Sequence, residues 1–449
     1  MTSTSIRIVD ARGAQKDRSA VRAELPRARA AEAEDLESRV SETIARVRTD
    51  GFAAVADLTR EFDGIDLTAL RVPESTIRDA SAALTPQMRR ALEHAIDRAR
   101  AFANAQIPTP VSVDYPGGAT VSLIWEPVQR AGVYVPGGKA VYPPSVVMNV
   151  VPAQAAGVGS IALVSPPQRA FDGSPHPSIL AAADLLGIDE IYAIGGAQAI
   201  AALAFGIAEH DAERTVPAVD VITGPGNVYV AAAKRLVRGT VGVDAEAGAT
   251  EVMILADGSA DPFLIAMDMI CQAEHDENAA AILVTPSGSL IAAVGAELDR
   301  RTPHTANRER VRAALGGAQS ALVLVDDITH GVEVVSAYAP EHLEVHTEDA
   351  AAVAGRITGA GAIFIGASTP VSLGDYAAGS NHVLPTGGTA TFSSGLSVFS
   401  FLRNVQHITY PTAALASLRD TITTLSRAES LPAHGDAFEA RFPHAPPTP

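Results

Sequence analysis

Glu190-Ile-Tyr-Ala-Ile-Gly-Gly-Ala-Gln-Ala-Ile-Ala-Ala-Leu-Ala-Phe205 holds, in order, a short β-branched and aromatic run, a glycine pair and an alanine-rich stretch. That order predicts a buried strand, a tight turn and a helix, because β-branched side chains suit a pleated sheet and alanine suits a helix. The unit recurs. Strands are predicted at residues 132–135, 161–164, 190–194, 219–222, 251–255, 281–284, 322–325 and 362–365, with Ala-rich helical stretches between them. Such alternation predicts an α/β fold built on parallel sheets. So many strands fit two sheets in two domains better than one very wide sheet.

The flanks read differently. The first 35 residues are rich in Ala, Arg and Glu with weak patterning, and Val40, Ile44, Val47, Phe52, Val55 and Leu58 then recur at helical spacing. The N-terminal portion is therefore expected to be helical. After Gly366 the chain turns irregular and rich in Gly, Ser and Thr, becomes helical again at about residues 412–427, and closes on a proline-rich tail.

Composition excludes several classes. The 34 basic against 51 acidic residues give a formal charge of -17, which opposes binding to nucleic acid or an anionic membrane through the overall field. Cys271 is the single cysteine, so no intramolecular disulfide forms and a reducing compartment, the cytoplasm, is expected. The N-terminal stretch, with Asp10, Arg12, Lys16, Asp17 and Arg18, has no apolar core of a signal peptide, and later apolar runs are broken before spanning length.

Three glycine-rich turns follow predicted strands and precede helical stretches: Tyr134-Val-Pro-Gly-Gly-Lys139, Ile194-Gly-Gly-Ala-Gln198 and Thr223-Gly-Pro-Gly-Asn227. Backbone N–H groups in such places receive phosphate, so together they suggest a nucleotide cradle; the alternative is tight strand-helix connections. None matches G-x-G-x-x-G.

Candidate chemistry lies elsewhere in the chain. Gln272 and His275 stand at i, i+3 on a predicted helix and project from one face, and Asp375 offers an oxygen from a loop. The three suit a metal. Ala339-Pro-Glu-His-Leu343 sets Glu341 beside His342; on an extended segment the two point oppositely and would act on different atoms or at different moments. Glu429 and His434 follow the last helix and by themselves read as a solvated tail. Cys271 reads as a packed thiol, since no base stands at a fixed spacing from it.

Taken together, the motifs resemble the histidinol dehydrogenase family over most of the chain, from about Val40 to His434. They are Tyr134-Val-Pro-Gly-Gly, Ile194-Gly-Gly-Ala-Gln-Ala-Ile-Ala, Gly224-Pro-Gly-Asn, Gln272-Ala-Glu-His, Pro340-Glu-His-Leu, Gly374-Asp-Tyr, Asn381-His-Val-Leu-Pro-Thr-Gly-Gly-Thr-Ala and Phe392-Ser-Ser-Gly-Leu-Ser. The resemblance implies two-step oxidation of L-histidinol to L-histidine with two NAD+, the last step of histidine biosynthesis. It implies one Zn2+ per subunit on Gln272, His275, Asp375 and His434, the last supplied by the partner subunit of a homodimer. By the same resemblance Glu341 and His342 are catalytic, and Thr250, Gln272, His275, His342, Asp375, His382, Glu429 and His434 surround the substrate. Tyr134, Gln198 and Asn227 would contact NAD.

The family's architecture implies two incomplete Rossmann-like domains. The division expected is residues 1–26 as an N-terminal helical segment, 27–132 with 250–393 as the first Rossmann-like domain, 133–249 as the second, and 394–449 as a helical dimerisation segment. One departure from the family pattern stands at the substrate site: Ala249 and Thr250 replace a Pro-Ser pair, so the hydroxyl is kept while a fixed φ is lost. Short insertions at about residues 171–177 and 210–217 lengthen loops. A paralogous zinc-dependent dehydrogenase of another small polyol or amino alcohol is the alternative; retention of His382 and Glu429 favours histidinol.

Overall fold

The computed structural model describes residues 6–13, 18–27, 33–137, 141–209, 211–245 and 248–442. Lys16, Asp17, Lys139, His210 and the proline-rich tail therefore lie outside the described residues. In chain order the strands are β1 (Arg7–Asp10), β2 (Val111–Tyr115), β3 (Ala119–Pro127), β4 (Arg130–Tyr134), β5 (Ser160–Ser165), β6 (Ile191–Ala193), β7 (Val221–Thr223), β8 (Gly242–Val243), β9 (Glu251–Ala256), β10 (Ala280–Thr285), β11 (Ala321–Leu324), β12 (His342–His346), β13 (Ala362–Ile365) and β14 (Leu402–Thr409).

Two of the three sheets are wholly parallel. One has the order β1-β11-β10-β9-β12-β13 and the other β6-β5-β4-β7-β8. In each, the chain lays strands to one side of a founding strand, β9 or β4, and then returns to the other side. That reversal creates a switch point between β9 and β12 and another between β4 and β7. Helices cover both faces, so β9 and β10 are buried along their whole length, which is why the sequence shows continuous apolar runs there.

Each of the eight predicted strands has an observed counterpart. The N-terminal portion corrects one expectation. Residues Arg7–Asp10 form β1, which pairs in parallel with β11, so the first segment is a strand followed by the helix Arg18–Glu24 and not helical throughout. The helix Ala33–Phe62 carries the predicted stripe, interrupted where Gly51 leaves helical geometry at φ 53. Its Val40, Ile44, Val47, Val55 and Leu58 pack with Ala199, Ile200, Leu203 and Val230 of the five-stranded sheet's helices. Small alanines let that helix approach closely, so this part of residues 27–132 joins the second sheet and not the first.

Contacts divide the chain into a large unit, Met1–Gln106 with Val128–Phe401, and a small one, Ile107–Pro127 with Leu402–Pro449. The C-terminal break thus falls after Phe401, where the sequence suggests 393. The small unit is not only helical: it holds an antiparallel sheet of β14, β3 and β2 as well as the helices Arg419–Ala428 and Pro432–Glu439. Among the described residues no helix is long and apolar enough to cross a membrane.

Gly224 is required by its surroundings as well as by its backbone. It follows β7 at φ +114, and a Cβ there would stand 2.0 Å from the Tyr134 carbonyl oxygen. At Gly187, with φ +73, a Cβ would meet nothing within 4 Å. Gly187→Ala should therefore cost about 1 kcal/mol from backbone strain alone, and Gly224→Ala about 3 kcal/mol or more from clash and strain together. Thermal unfolding of the two variants checks the order; equal midpoints would show that the turn after β7 relaxes freely.

Candidate active site

Parallel pairing of β9 with β12 brings the candidate acid-base residues together. Register sets His342 opposite Val252, so Thr250 and Glu251 at the start of β9 flank the start of β12. Ala339 ends the preceding helix in the left-handed region at φ 55, and Glu341 occupies a bend before the strand begins. Because Glu341 is not yet extended, its side chain does not point away from His342 as the sequence suggests. Oε2 of Glu341 lies 3.5 Å from Nδ1 of His342. The same oxygen accepts from the Thr250 hydroxyl at 2.6 Å and from the Glu251 N–H at 2.9 Å.

His342 is oriented by the backbone. Its Nδ1 lies 3.1 Å from the Glu251 carbonyl oxygen, which can only accept, so in the neutral ring Nδ1 carries the proton. Nε2 is then the basic nitrogen. Phe364 of β13 packs against the ring, with centroids 6.0 Å apart.

Gln272 sits near the end of the helix Pro262–Ala273 and is 1% exposed. Its Nε2 donates to Thr250 Oγ1 at 2.7 Å, which fixes the amide orientation and leaves Oε1 buried with no hydrogen-bond partner. An orphaned amide oxygen costs about 1–3 kcal/mol unless something else satisfies it. The helix ends earlier than the sequence suggests. Glu274 is the C-cap and His275 lies in the following turn, where its N–H bonds back to the Gln272 carbonyl at 3.3 Å.

Asp375 belongs to the short helix Val371–Tyr376 and not to a loop. That helix is anchored at its first residue, whose N–H donates to Glu344 Oε1 at 2.8 Å. His382 closes the group: Nε2 is 3.1 Å from Ser145 Oγ and Nδ1 is 3.2 Å from the Asp375 carbonyl oxygen. Burial pushes the His382 imidazole below its ordinary pKa; Asp375 opposes that shift while His342 and His275 add to it. Asp375 Oδ1 lies 3.8 Å from His382 Nδ1, and the fields of His275 and His342 reach the same His382 ring, so the four share one neighbourhood. Thr250, Gln272 and Glu341 are tied to it by hydrogen bonds.

Cys271 is adjacent but inert. Burial foremost, then Asp375 and other carboxylates, pushes its thiol up to about 12, so almost none is thiolate at neutral pH. In the small unit, Glu429 caps the helix Arg419–Ala428 and His434 stands in the helix Pro432–Glu439, both exposed.

The three glycine-rich turns lie at carboxyl ends of β4, β6 and β7, and the first and third flank the switch point between β4 and β7. Ligands of open parallel sheets bind at such crevices. Tyr134 is buried, and its hydroxyl accepts from the Gly196 N–H at 3.3 Å, linking the first two turns. Gln198 is buried in the helix Gly196–Phe205. Asn227 caps the helix Val228–Val237, its side-chain oxygen accepting from the N–H groups of Tyr229 and Val230.

Sequence reasoning missed Glu251, Ser145 and Glu344. Glu251 acts on the site through backbone atoms, which no side-chain pattern reveals. Ser145 and Glu344 are buried polar residues in apolar surroundings; the alternation in His342-Leu-Glu-Val-His346 was the available signal for the second.

The family model for histidinol dehydrogenase matches residues 26–442. A histidinol dehydrogenase of Mycobacterium tuberculosis (strain ATCC 25618 / H37Rv) is 54% identical over 434 residues, covering 97% of each chain, and one of Thermobifida fusca (strain YX) is 54% identical over 435 residues with the same coverage. The crystal structure of histidinol dehydrogenase from Elizabethkingia anophelis is similar at a TM-score of 0.90 and 30% identity, covering 98% of each chain. With that agreement in sequence and fold over nearly its whole length, the chain belongs to the histidinol dehydrogenase family.

Proposed function

We propose that this chain oxidises L-histidinol through L-histidinal to L-histidine, with NAD+ accepting a hydride in each of the two half-reactions. The carrying observation is the hydrogen-bonded constellation of Gln272, Thr250, Glu341 and His342 in a chain of this family. His342 Nε2 takes the hydroxyl proton, because the Glu251 carbonyl holds the other ring nitrogen protonated. Glu341 is the base for the water that adds to the aldehyde. Its Oε2 is fixed by Thr250 and Glu251, and Oε1 makes neither of those bonds.

The residues present fit a zinc ion: Gln272 offers a buried oxygen without a partner, and imidazole and carboxylate complete a mixed N and O donor set. We assign its ligands as Gln272, His275, Asp375 and His434 of the partner subunit. When bound, zinc supplies orientation of the substrate and stabilisation of developing charge. We assign substrate contacts to His382 and Thr250 and, as with the metal ligand from the same segment, to Glu429 of the partner subunit. Tyr134, Gln198 and Asn227 border the NAD crevice, where the Rossmann-like strand order β6-β5-β4-β7-β8 opens. The single cysteine supports a cytoplasmic location.

His275→Ala should leave a folded protein whose zinc affinity and turnover each fall at least about tenfold. Metal analysis beside a steady-state assay tests this, and full occupancy with undiminished turnover excludes His275 as a ligand. Glu341→Gln should slow oxidation of added histidinal more than that of histidinol, whereas His342→Ala should slow both by about 10²- to 10⁴-fold. Equal losses for Glu341→Gln in both half-reactions would remove its separate role.

The shared site has its own test. Mixing inactive His342→Ala and His434→Ala proteins should restore about a quarter of wild-type sites, since about half the dimers are mixed and each holds one intact site of two. No recovery after demonstrated subunit exchange means that His434 serves its own chain or no site.

A further inference from the structure

Side chains alternate along β12, so His342, Glu344 and His346 share one face of the sheet. Their partners on β9 are Val252, Ile254 and Ala256, which pack against Ile265, Ala266, Met269 and Ile270 of the helix Pro262–Ala273. A polar stripe therefore runs through an otherwise apolar seam. Its first member belongs to the acid-base pair described above. The other two do not.

Glu344 and His346 are 0% and 3% exposed. Glu344 Oε1 is used by the Val371 N–H, but Oε2 has no hydrogen-bond partner, and neither has Nδ1 or Nε2 of His346. His346 Nε2 and Glu344 Oε2 stand 3.4 Å apart. Two donors on one tetrahedral zinc, at bonds of about 2.0–2.2 Å, stand roughly 3.4 Å apart as well. Asp268, half-buried on the facing helix one turn before Gln272, completes a set whose ligand atoms all lie within 4.8 Å of one another.

We propose that Asp268, Glu344 and His346 form a second divalent-metal site, taking zinc or a similar transition-metal ion and distinct from the Gln272, His275 and Asp375 group. Two carboxylates and an imidazole are a borderline donor set that suits such an ion, and water reaching the partly exposed Asp268 fills the remaining positions. A cation satisfies two orphaned buried atoms at once, Glu344 Oε2 and His346 Nε2, and offsets two carboxylates held close together in the interior. The strain of that pair is visible in Asp268, whose carboxyl is pushed up to about 7 by burial and then by Glu344. Glu344 also anchors the helix carrying Asp375, so the ion would stiffen the floor of the active site and take no part in the reaction.

The test is zinc titration of the chelator-stripped, full-length protein against a chromophoric chelator, with wild type, His346→Gln, Asp268→Asn and His275→Ala compared after circular dichroism has shown each to be folded. Wild type should bind two equivalents per subunit, and each variant should lose one. His346→Gln and Asp268→Asn should lose the equivalent that His275→Ala retains, so His275→Ala/His346→Gln should bind none. The proposal is overturned if His346→Gln and Asp268→Asn bind as much zinc as wild type, which would leave the stripe as an ion pair with a proton held between carboxyls. Failure of the first site would look different: His275→Ala would then match wild type while the cluster variants still lost their equivalent.

Discussion

The parallel pairing of β9 with β12 is the contact on which the site depends. Its register puts the Glu251 carbonyl against His342 Nδ1 and the Glu251 N–H against Glu341 Oε2, so backbone atoms of one residue orient both members of the proposed acid-base pair. Backbone groups in a sheet have little freedom to drift. A slip of one residue would turn His342, Glu344 and His346 toward the apolar cluster that now receives Leu343 and Val345, and would strand every polar group of the stripe. The register is thus enforced by both faces at once. On its other edge β12 is fitted to β13 at Gly361: a Cβ there would stand 2.5 Å from the Glu341 carbonyl oxygen, which accepts from the next residue, Ala362.

How much of this could be read from the chain follows from what each element buries. Strands such as β5, β9 and β10 are enclosed on both faces, so their apolar runs announce them. β12 is equally buried, yet His342-Leu-Glu-Val-His346 looks like a half-exposed segment, because its polar face is enclosed in an otherwise apolar seam and not turned to solvent. β2 and β14 fail for the opposite reason: their residues are largely exposed and mark no face. β1 is four residues at the edge of a sheet, held by β11 alone. Side chains of the site were legible where several motifs converged; the pairing of Glu341 with His342 was not, because it depends on a bend set by Ala339 in the left-handed region.

Thr250 shows what a substitution within the family pattern can preserve. Its hydroxyl accepts from Gln272 and donates to Glu341, so one oxygen joins the proposed metal ligand to the proposed water-activating carboxylate. A hydroxyl has one proton to give and two lone pairs to receive with, which makes it well suited to a junction between an amide donor and a carboxylate acceptor. The β-branched methyl group narrows the rotamers through which that junction can be lost. Ala249 in place of proline does not leave the segment loose. The Thr250 carbonyl accepts from the Ala280 N–H at 3.0 Å, and the next N–H, of Glu251, is held by Glu341.

The same seam explains why stability and reactivity meet here. The helix Pro262–Ala273 turns Ile265, Ala266, Met269 and Ile270 into the core and also carries Gln272 and Asp268. Apolar burial fixes the helix against β9; the polar positions then inherit its rigidity without having to create it. Gln272 Oε1 remains orphaned because its partner amide is already committed to Thr250, and rotation of the side chain to satisfy the oxygen would break that bond. An amide held in this way cannot relax, so for the metal role proposed for it the cost of orienting the oxygen is met during folding.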